Sequence, residues 1–195
     1  MKIKKCRICN SVNFYELFSL GNLSFTGKFT KSKINNTPRD YLNLVMCKKC
    51  KLVQLDRSFN PKFLYSKDYG YRTGINKTMT EHVKSVVKEA IKISKVKKDD
   101  YVLDIASNDA TLLNFYDKNF IKVGVDPISA KYKKFYKNID FNLSDFFSYR
   151  LLKKNNLNKK FKIITTLSMF YDLKEPIFFV KDIKKILHKD GIFIL

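Results

Sequence analysis

"YVLDIASNDATLL", residues 101–113, decides the fold, because it reads as a buried strand, a tight polar turn and the start of a helix. The strand carries one polar residue, Asp104, near the end of an otherwise apolar run. A second run, IKVGV (121–125), stops on Asp126, 22 residues after Asp104. Carboxylates at the tips of neighbouring strands can clasp a ribose diol by accepting its two hydroxyl protons. The turn between Ile105 and Thr111 is expected to present its backbone amides at a helix N-terminus.

Two cofactors suit such a turn, a dinucleotide and S-adenosylmethionine. A dinucleotide asks for G-x-G-x-x-G, whose glycines admit the pyrophosphate. This turn has none: Ala106 and Ala110 stand where glycine is expected. Asp104 would also repel a pyrophosphate. S-adenosylmethionine has no phosphate and carries an ammonium and a sulfonium, so an acid at 104 is welcome and the turn favours the methyl donor. The alternative is that 101–117 is a strand and a helix with an ordinary polar connection.

Outward from this stretch the chain alternates. Apolar runs at 101–105, 121–125, 139–143, 161–167 and 191–195 read as strands, and 110–117, 129–137, 145–154 and 176–188 as helices. Such alternation predicts an α/β fold, a Rossmann-like parallel sheet of about five strands with helices on both faces. A seven-stranded sheet would lack its last two strands, so the chain is expected to be a fragment, a truncated form or dependent on a partner segment. Upstream, Asn76 can cap a helix whose face is Met79, Val83, Val86, Val87, Ala90, Ile91 and Ser94, ending near Lys97–Asp100.

Residues 1–60 read as a small β-rich domain. Apolar runs at 14–20, 41–46 and 52–55 lie between turn signals at Asn10-Ser11, Gly21-Asn22, Gly27 and Asn35–Pro38. Residues 61–98 are expected to form a hinge and connecting helix, and 99–195 the partial Rossmann-like domain. All four cysteines fall in two C-x-x-C knuckles, Cys6/Cys9 and Cys47/Cys50. Four thiolates suit tetrahedral Zn²⁺, and a closed four-sulfur site holds a fold rather than performs chemistry. Lys5, Arg7, Lys48 and Lys49 would offset its negative charge.

Hydrophobic residues make up 45% and aromatics 14% of the 195 residues, a globular composition. Met1–Asn10 has no apolar core and no run is long enough to span a bilayer, so a soluble cytoplasmic protein without a membrane partner is expected. The formal charge of +21 is almost all lysine, with Arg only at 7, 39, 57, 72 and 150. Lysines spread along the chain, without an arginine-rich arm, read as solvated side chains more than as a nucleic-acid footprint. The field would also attract an anionic small substrate.

Taken together, CRIC (6–9), LGNLSFTGKF (20–29), CKKCKLVQL (47–55), DYGYRTGINKTM (68–79), VLDIASNDATLL (102–113), VGVDP (123–127), SDFFS (144–148), SMFYDL (168–173) and KKILHKDGIFIL (184–195) resemble the zinc-containing class I methyltransferases typified by sugar C-methyltransferases of deoxysugar biosynthesis. The resemblance implies an N-terminal zinc domain, a core binding S-adenosylmethionine, and a C-terminal domain for which this chain has no counterpart. It also implies that Asp104, Ala106, Ser107 and Asn108 wrap the methionine and ribose end, with Asp126 and Pro127 at the ribose hydroxyls. Asp145 and Phe146 would flank the adenine, and Leu167 and Ser168 would face the donor. Tyr69, Tyr71 and Arg72 would lie in the hinge, with Tyr71 in the cofactor set. The family loop is similar to GSNDG where this chain has Ala106–Ala110, and Asp172 stands where the family carries a histidine.

The implied activity is methyl transfer to a small acceptor, a nucleotide-linked sugar, at carbon next to a ketone. That reaction needs a base to form the enolate, and Tyr171 and Asp172 are the candidates. An aromatic core residue and a helix cap before Glu175-Pro176 are the other readings of that pair. His82 reads as a packing or hinge residue and His188 as a surface residue at a helix end. Two further functions stay open: a non-catalytic remnant or assembly subunit, and an RNA methyltransferase.

Overall fold

The computed structural model describes residues 1–25, 37–66 and 68–195. The turn signals at Gly27, Asn35 and Asn36, and Lys67 in the hinge, lie outside them. Two compact units form, Met1–Tyr71 with Lys174–Ile177, and Arg72–Leu173 with Phe178–Leu195.

In the first unit, β1 (Phe14–Ser24), β2 (Arg39–Cys47) and β3 (Val53–Leu55) make an antiparallel sheet in that order. The three apolar runs of the sequence all become strands, and β1 extends past its run to Ser24. A one-turn helix, α1 (Pro61–Leu64), follows; the Asn60 side chain accepts from the Lys62 N–H and Pro61 opens the turn.

The second unit holds five strands: β4 (Tyr101–Ile105), β5 (Ile121–Val125), β6 (Phe141–Leu143), β7 (Phe161–Thr165) and β8 (Leu187–Ile194). They pair in parallel in the order β6-β5-β4-β7-β8. This is the expected Rossmann-like sheet: from the central β4 the chain runs outward through β5 to β6, then crosses back to β7 on the other side of β4 and on to β8. The order reverses between β4 and β7, and in open α/β sheets ligands bind at the carboxyl edge beside such a point. Val102, Leu103, Ile105, Val123, Val125, Ile163 and Ile164 are all at most 2% exposed, so the central strands are covered on both faces. Leu152, Leu157, Phe179, Ile183 and Ile186 complete the core.

The helix α2 (Lys77–Ser94) begins as expected, with Asn76 Oδ1 accepting from the Met79 N–H at 3.0 Å. It ends at Ser94, before the expected lysine-aspartate segment, because Lys95 adopts a left-handed φ of 51°. Val83, Val87, Ala90 and Ser94 are its buried stripe, and α2 lies against β7 and β8.

Between the strands the helical expectation needs correction. No α-helix follows β4: a single 3₁₀ turn, Leu113–Phe115, replaces 110–117. Residues 106–120 must hold both the polar turn and the turn Asp117–Phe120 before β5, which leaves room for little more. After β5 a kinked 3₁₀ segment, Ser129–Phe135, replaces 129–137. α3 (Tyr149–Lys154) starts later than 145 because Ser148 caps it through the Leu151 N–H. α4 (Pro176–Ile186) stops two residues early, and β8 begins at Leu187 rather than 191, so His188 lies in a strand and not at a helix end. β6 and β7 are also shorter than their apolar runs. Among the described residues no helix is long and apolar enough to cross a membrane.

Candidate functional sites: a four-cysteine cluster and the carboxyl edge of the sheet

The two knuckles are built alike. In each, the amide four residues after the first cysteine bonds back to its carbonyl: Asn10 N–H to Cys6 O at 3.1 Å, Lys51 N–H to Cys47 O at 2.9 Å. The first cysteine's own amide donates to the residue five further on, Cys6 to Ser11 O and Cys47 to Leu52 O. Each knuckle closes through a left-handed residue, Asn10 at φ 58° and Lys51 at φ 63°. The Sγ atoms of Cys6, Cys9, Cys47 and Cys50 lie within 4.8 Å of one another, with Cys6–Cys50 at 3.6 Å and Cys9–Cys47 at 3.5 Å. A tetrahedral zinc with Zn–S of about 2.3 Å requires sulfurs about 3.8 Å apart, so the cluster fits the ion.

Gln54 Nε2 donates to Cys6 Sγ at 3.3 Å, an outer support for one ligand. Arg7 does more than offset charge. Its guanidinium donates to Gln54 Oε1, Leu55 O, Arg57 O and Ser58 Oγ, tying the first knuckle to β3 and beyond.

In the second unit the sequence-derived cofactor residues lie at the end of β4 or after β4, β5, β6 and β7, at the carboxyl edge. Asp104 is paired in register with Gly124 and is 4% exposed. Burial pushes its carboxyl up to about 7; the Thr165 hydroxyl, donating to Oδ1 at 2.6 Å, pulls the other way, and the Asp126 charge adds to the rise. Asp126 is also pushed up by burial, against backbone amides that favour its charge: Asn108 N–H on Oδ2 at 2.9 Å and Ile128 N–H on Oδ1 at 2.8 Å.

The turn between them is left-handed at three of five residues, Ala106 (φ 63°), Asn108 (φ 49°) and Ala110 (φ 60°). Its amides do not crown a helix. Ala106 N–H bonds to Val125 O, Ala110 N–H to Ser107 O, and Asn108 N–H to Asp126. Tyr136 seals the turn from behind, its hydroxyl donating to Asn108 O at 2.9 Å and meeting Ser107 Oγ at 2.8 Å. Gly124 makes room, since a Cβ there would stand 2.8 Å from the Tyr136 ring.

The other candidates are placed less centrally. Pro127 is half-buried beside Asp126. Asp145 is exposed and accepts from the Phe146 N–H, and Phe146 is half-buried. Leu167 is half-buried; Ser168 is exposed and left-handed at φ 58°. Tyr171, 77% exposed, and Asp172 share a 3₁₀ turn after β7, so the aromatic is no core residue. Tyr71 belongs to the first unit and is 41% exposed. His82 is exposed on α2, not packed.

Sequence reasoning passed over Asp109, Thr73 and Gly74. Asp109, 2% exposed, accepts from the Gly74 N–H at 3.0 Å and from Thr111 Oγ1 at 2.5 Å, and pairs with Arg72 Nε at 3.2 Å. Thr73 N–H donates to Asn108 Oδ1 at 2.9 Å. The available signal was scarcity: the chain has only 6 glycines, so Gly74 and Gly124 each marked a close approach.

Residues 6–65 match a methyltransferase-associated family model described as "Putative zinc binding domain". The match spans both knuckles, β1–β3 and α1. No curated protein matches the chain. Among solved structures, the chain is similar to DesVI of Streptomyces venezuelae (16% identity, 71% of this chain and 58% of that one, TM-score 0.47). It is similar to the plantazolicin methyltransferase BpumL, solved with a desmethylplantazolicin analogue and SAH (15% identity, 58% and 44%, TM-score 0.45). It is likewise similar to a S-adenosylmethionine-dependent methyltransferase from Clostridium acetobutylicum (22% identity, 58% and 48%, TM-score 0.41). The chain spans about half the length of these structures.

Proposed function

We propose that the chain binds S-adenosylmethionine at the carboxyl edge of the parallel sheet and belongs to a methyltransferase that alkylates a small acceptor, a nucleotide-linked sugar at carbon next to a ketone. The observation that carries the reading is the pair of buried carboxylates, Asp104 and Asp126, at the ends of adjacent parallel strands beside a glycine-free turn. Fixed acids there disfavour a pyrophosphate and favour the ammonium and sulfonium of the methyl donor. Two buried hydroxyls without hydrogen-bond partners among the described residues, on Tyr116 and Thr166, support a polar ligand nearby. Burial, then the Asp104 charge, raises the Tyr116 phenol, so that hydroxyl lies within the field of the same carboxylate.

When bound, the donor would supply an electrophilic methyl group. This chain's residues would hold it: Asp126 and Pro127 at the ribose, Asp104 and the 106–108 backbone at the methionine end, Asp145 and Phe146 at the adenine. Leu167 and Ser168 complete the set that this unit is proposed to supply. Asp172, with Tyr171, is the proposed base that removes the acceptor's α-proton. The zinc site would hold the first unit's fold and take no part in proton transfer.

A second reading, a non-catalytic remnant, draws on two observations. Both Asp126 oxygens already accept backbone amides, and Tyr171 stands largely in solvent. Titration calorimetry of the zinc-loaded chain with S-adenosylmethionine tests the donor. Saturable binding lost in Asp126→Ala supports it, and no heat from folded protein ends it. Single-turnover methylation of a keto-sugar nucleotide, abolished by Asp172→Asn, then separates the two readings.

A further inference from the structure

Asn108 and Asp109 are held by a segment that approaches them from 35 residues upstream. Thr73 N–H donates to the Asn108 side chain, Gly74 N–H to Asp109 Oδ2, and Arg72 Nε pairs with the same oxygen. Arg72 also lies over the Phe135 ring, 4.8 Å from its centroid, and Phe135 O accepts from Asn114 Nδ2. Gly74 is the tight point: a Cβ there would stand 2.7 Å from Thr111 Oγ1 and 2.8 Å from Asp109 Oδ2. Asn108 is thus fixed at its amide by Asp126, at its carbonyl by Tyr136 and at its side chain by Thr73.

We propose that Arg72–Gly74 is a clasp, and that Asp109 is the positioning residue through which it sets the shape of the 106–110 turn for the methyl donor. The second half of this inference rests on the donor reading above. The first half does not. A backbone with three non-glycine left-handed residues does not hold itself, since each prefers another conformation. Here the constraint comes from Asp109 and Asn108, and the clasp supplies their partners. Asp109 touches neither donor nor acceptor in this scheme; it acts by holding the turn.

Amide hydrogen exchange on the full zinc-loaded chain without ligand tests the clasp, using Gly74→Ala and the half-buried Arg72→Ala. The amides of Ala106, Asn108 and Ala110 should exchange about tenfold faster, because Arg72→Ala removes the ion pair to Asp109 and the added Cβ of Gly74→Ala pushes the Gly74 amide off it, while β4 and β5 core amides keep their protection. Arg72→Lys should recover part of that protection. Unchanged turn exchange in both variants overturns the clasp, and so does core protection falling in step, because that is general destabilisation. Donor affinity read on the same proteins should drop by a similar factor. If wild type binds donor and the variants bind it equally well despite a loosened turn, the positioning role fails. If wild type binds no donor, the donor reading fails and exchange still decides the clasp.

Discussion

The knuckles and the 106–110 turn solve the same problem in opposite ways. Both bend non-glycine residues into left-handed backbone, Asn10 and Lys51 in one case, Ala106, Asn108 and Ala110 in the other. In a knuckle the bend itself is held locally, by two backbone hydrogen bonds within six residues, while the four sulfurs and Arg7 join the finished knuckles to the rest of the unit. In the turn the constraints arrive from Asp126, Tyr136 and the 72–74 segment, distant in sequence. A locally determined bend survives wherever its short motif survives. A bend held from afar depends on the whole unit being folded.

The largest effect should come from removing the metal. Structural zinc in small domains contributes about 10–16 kcal/mol of apparent binding energy, which is folding energy when no site exists without it. Cys47→Ser, or chelation of wild type, should unfold the first unit, since Cys47 pairs with Phe14 across β1 and β2 as well as offering a thiolate. The second unit has its own core and should keep its sheet. Metal analysis should give one zinc per chain, and exchange protection should vanish in β1–β3 and persist in β4 and β5. Protection lost equally in both units would break the contrast between local and distant constraint.

The next effect belongs to Asp104. Its folded carboxyl is pushed up to about 7, whereas the unfolded value is near the ordinary 3.8. Between those values the folded state binds more protons than the unfolded one, so stability falls as pH rises through the window. The cost is on the order of a few kcal/mol at pH 8 relative to pH 5. Asp104→Asn keeps the acceptor for Thr165 and removes the titration, so its urea midpoint should change less over that range. Asp126, which burial raises as well, contributes in the same direction in both proteins. Equal slopes in wild type and variant would mean that Asp104 is charged in the folded protein.

The same contrast sets what the sequence could reveal. The zinc knuckles were legible because C-x-x-C spacing fixes its own chemistry, and the five strands because a short apolar-rich run marks each. Asp104 and Asp126 stood out as acids ending such runs. The crossover helices were misread at 110–117 and 129–137, because polar and aromatic residues there serve the turn rather than a helical stripe; Tyr136 spends its hydroxyl on Asn108. The clasp was invisible because Gly74 and Asp109, 35 residues apart, meet only once the parallel sheet and α2 have packed, and no local pattern records that meeting.

The smallest effect sharpens the comparison most directly, by putting glycine at each left-handed position. A left-handed alanine costs about 1–2 kcal/mol, and glycine gives back about 0.5–1 of that through its freer unfolded chain. Ala106→Gly should therefore stabilise the protein by about 0.5–1 kcal/mol, a rise in Tm of roughly 1–4 °C. Ala110→Gly should gain less, because Ala110 is fully buried and its methyl group would leave a void. Asn10→Gly should change little, since asparagine tolerates this conformation and the knuckle already holds it. Calorimetric melting of the three variants reads the order directly. A gain at Asn10 as large as that at Ala106 would show that the knuckle bend carries the same strain, and that the local hydrogen bonds do less of the holding than the metal.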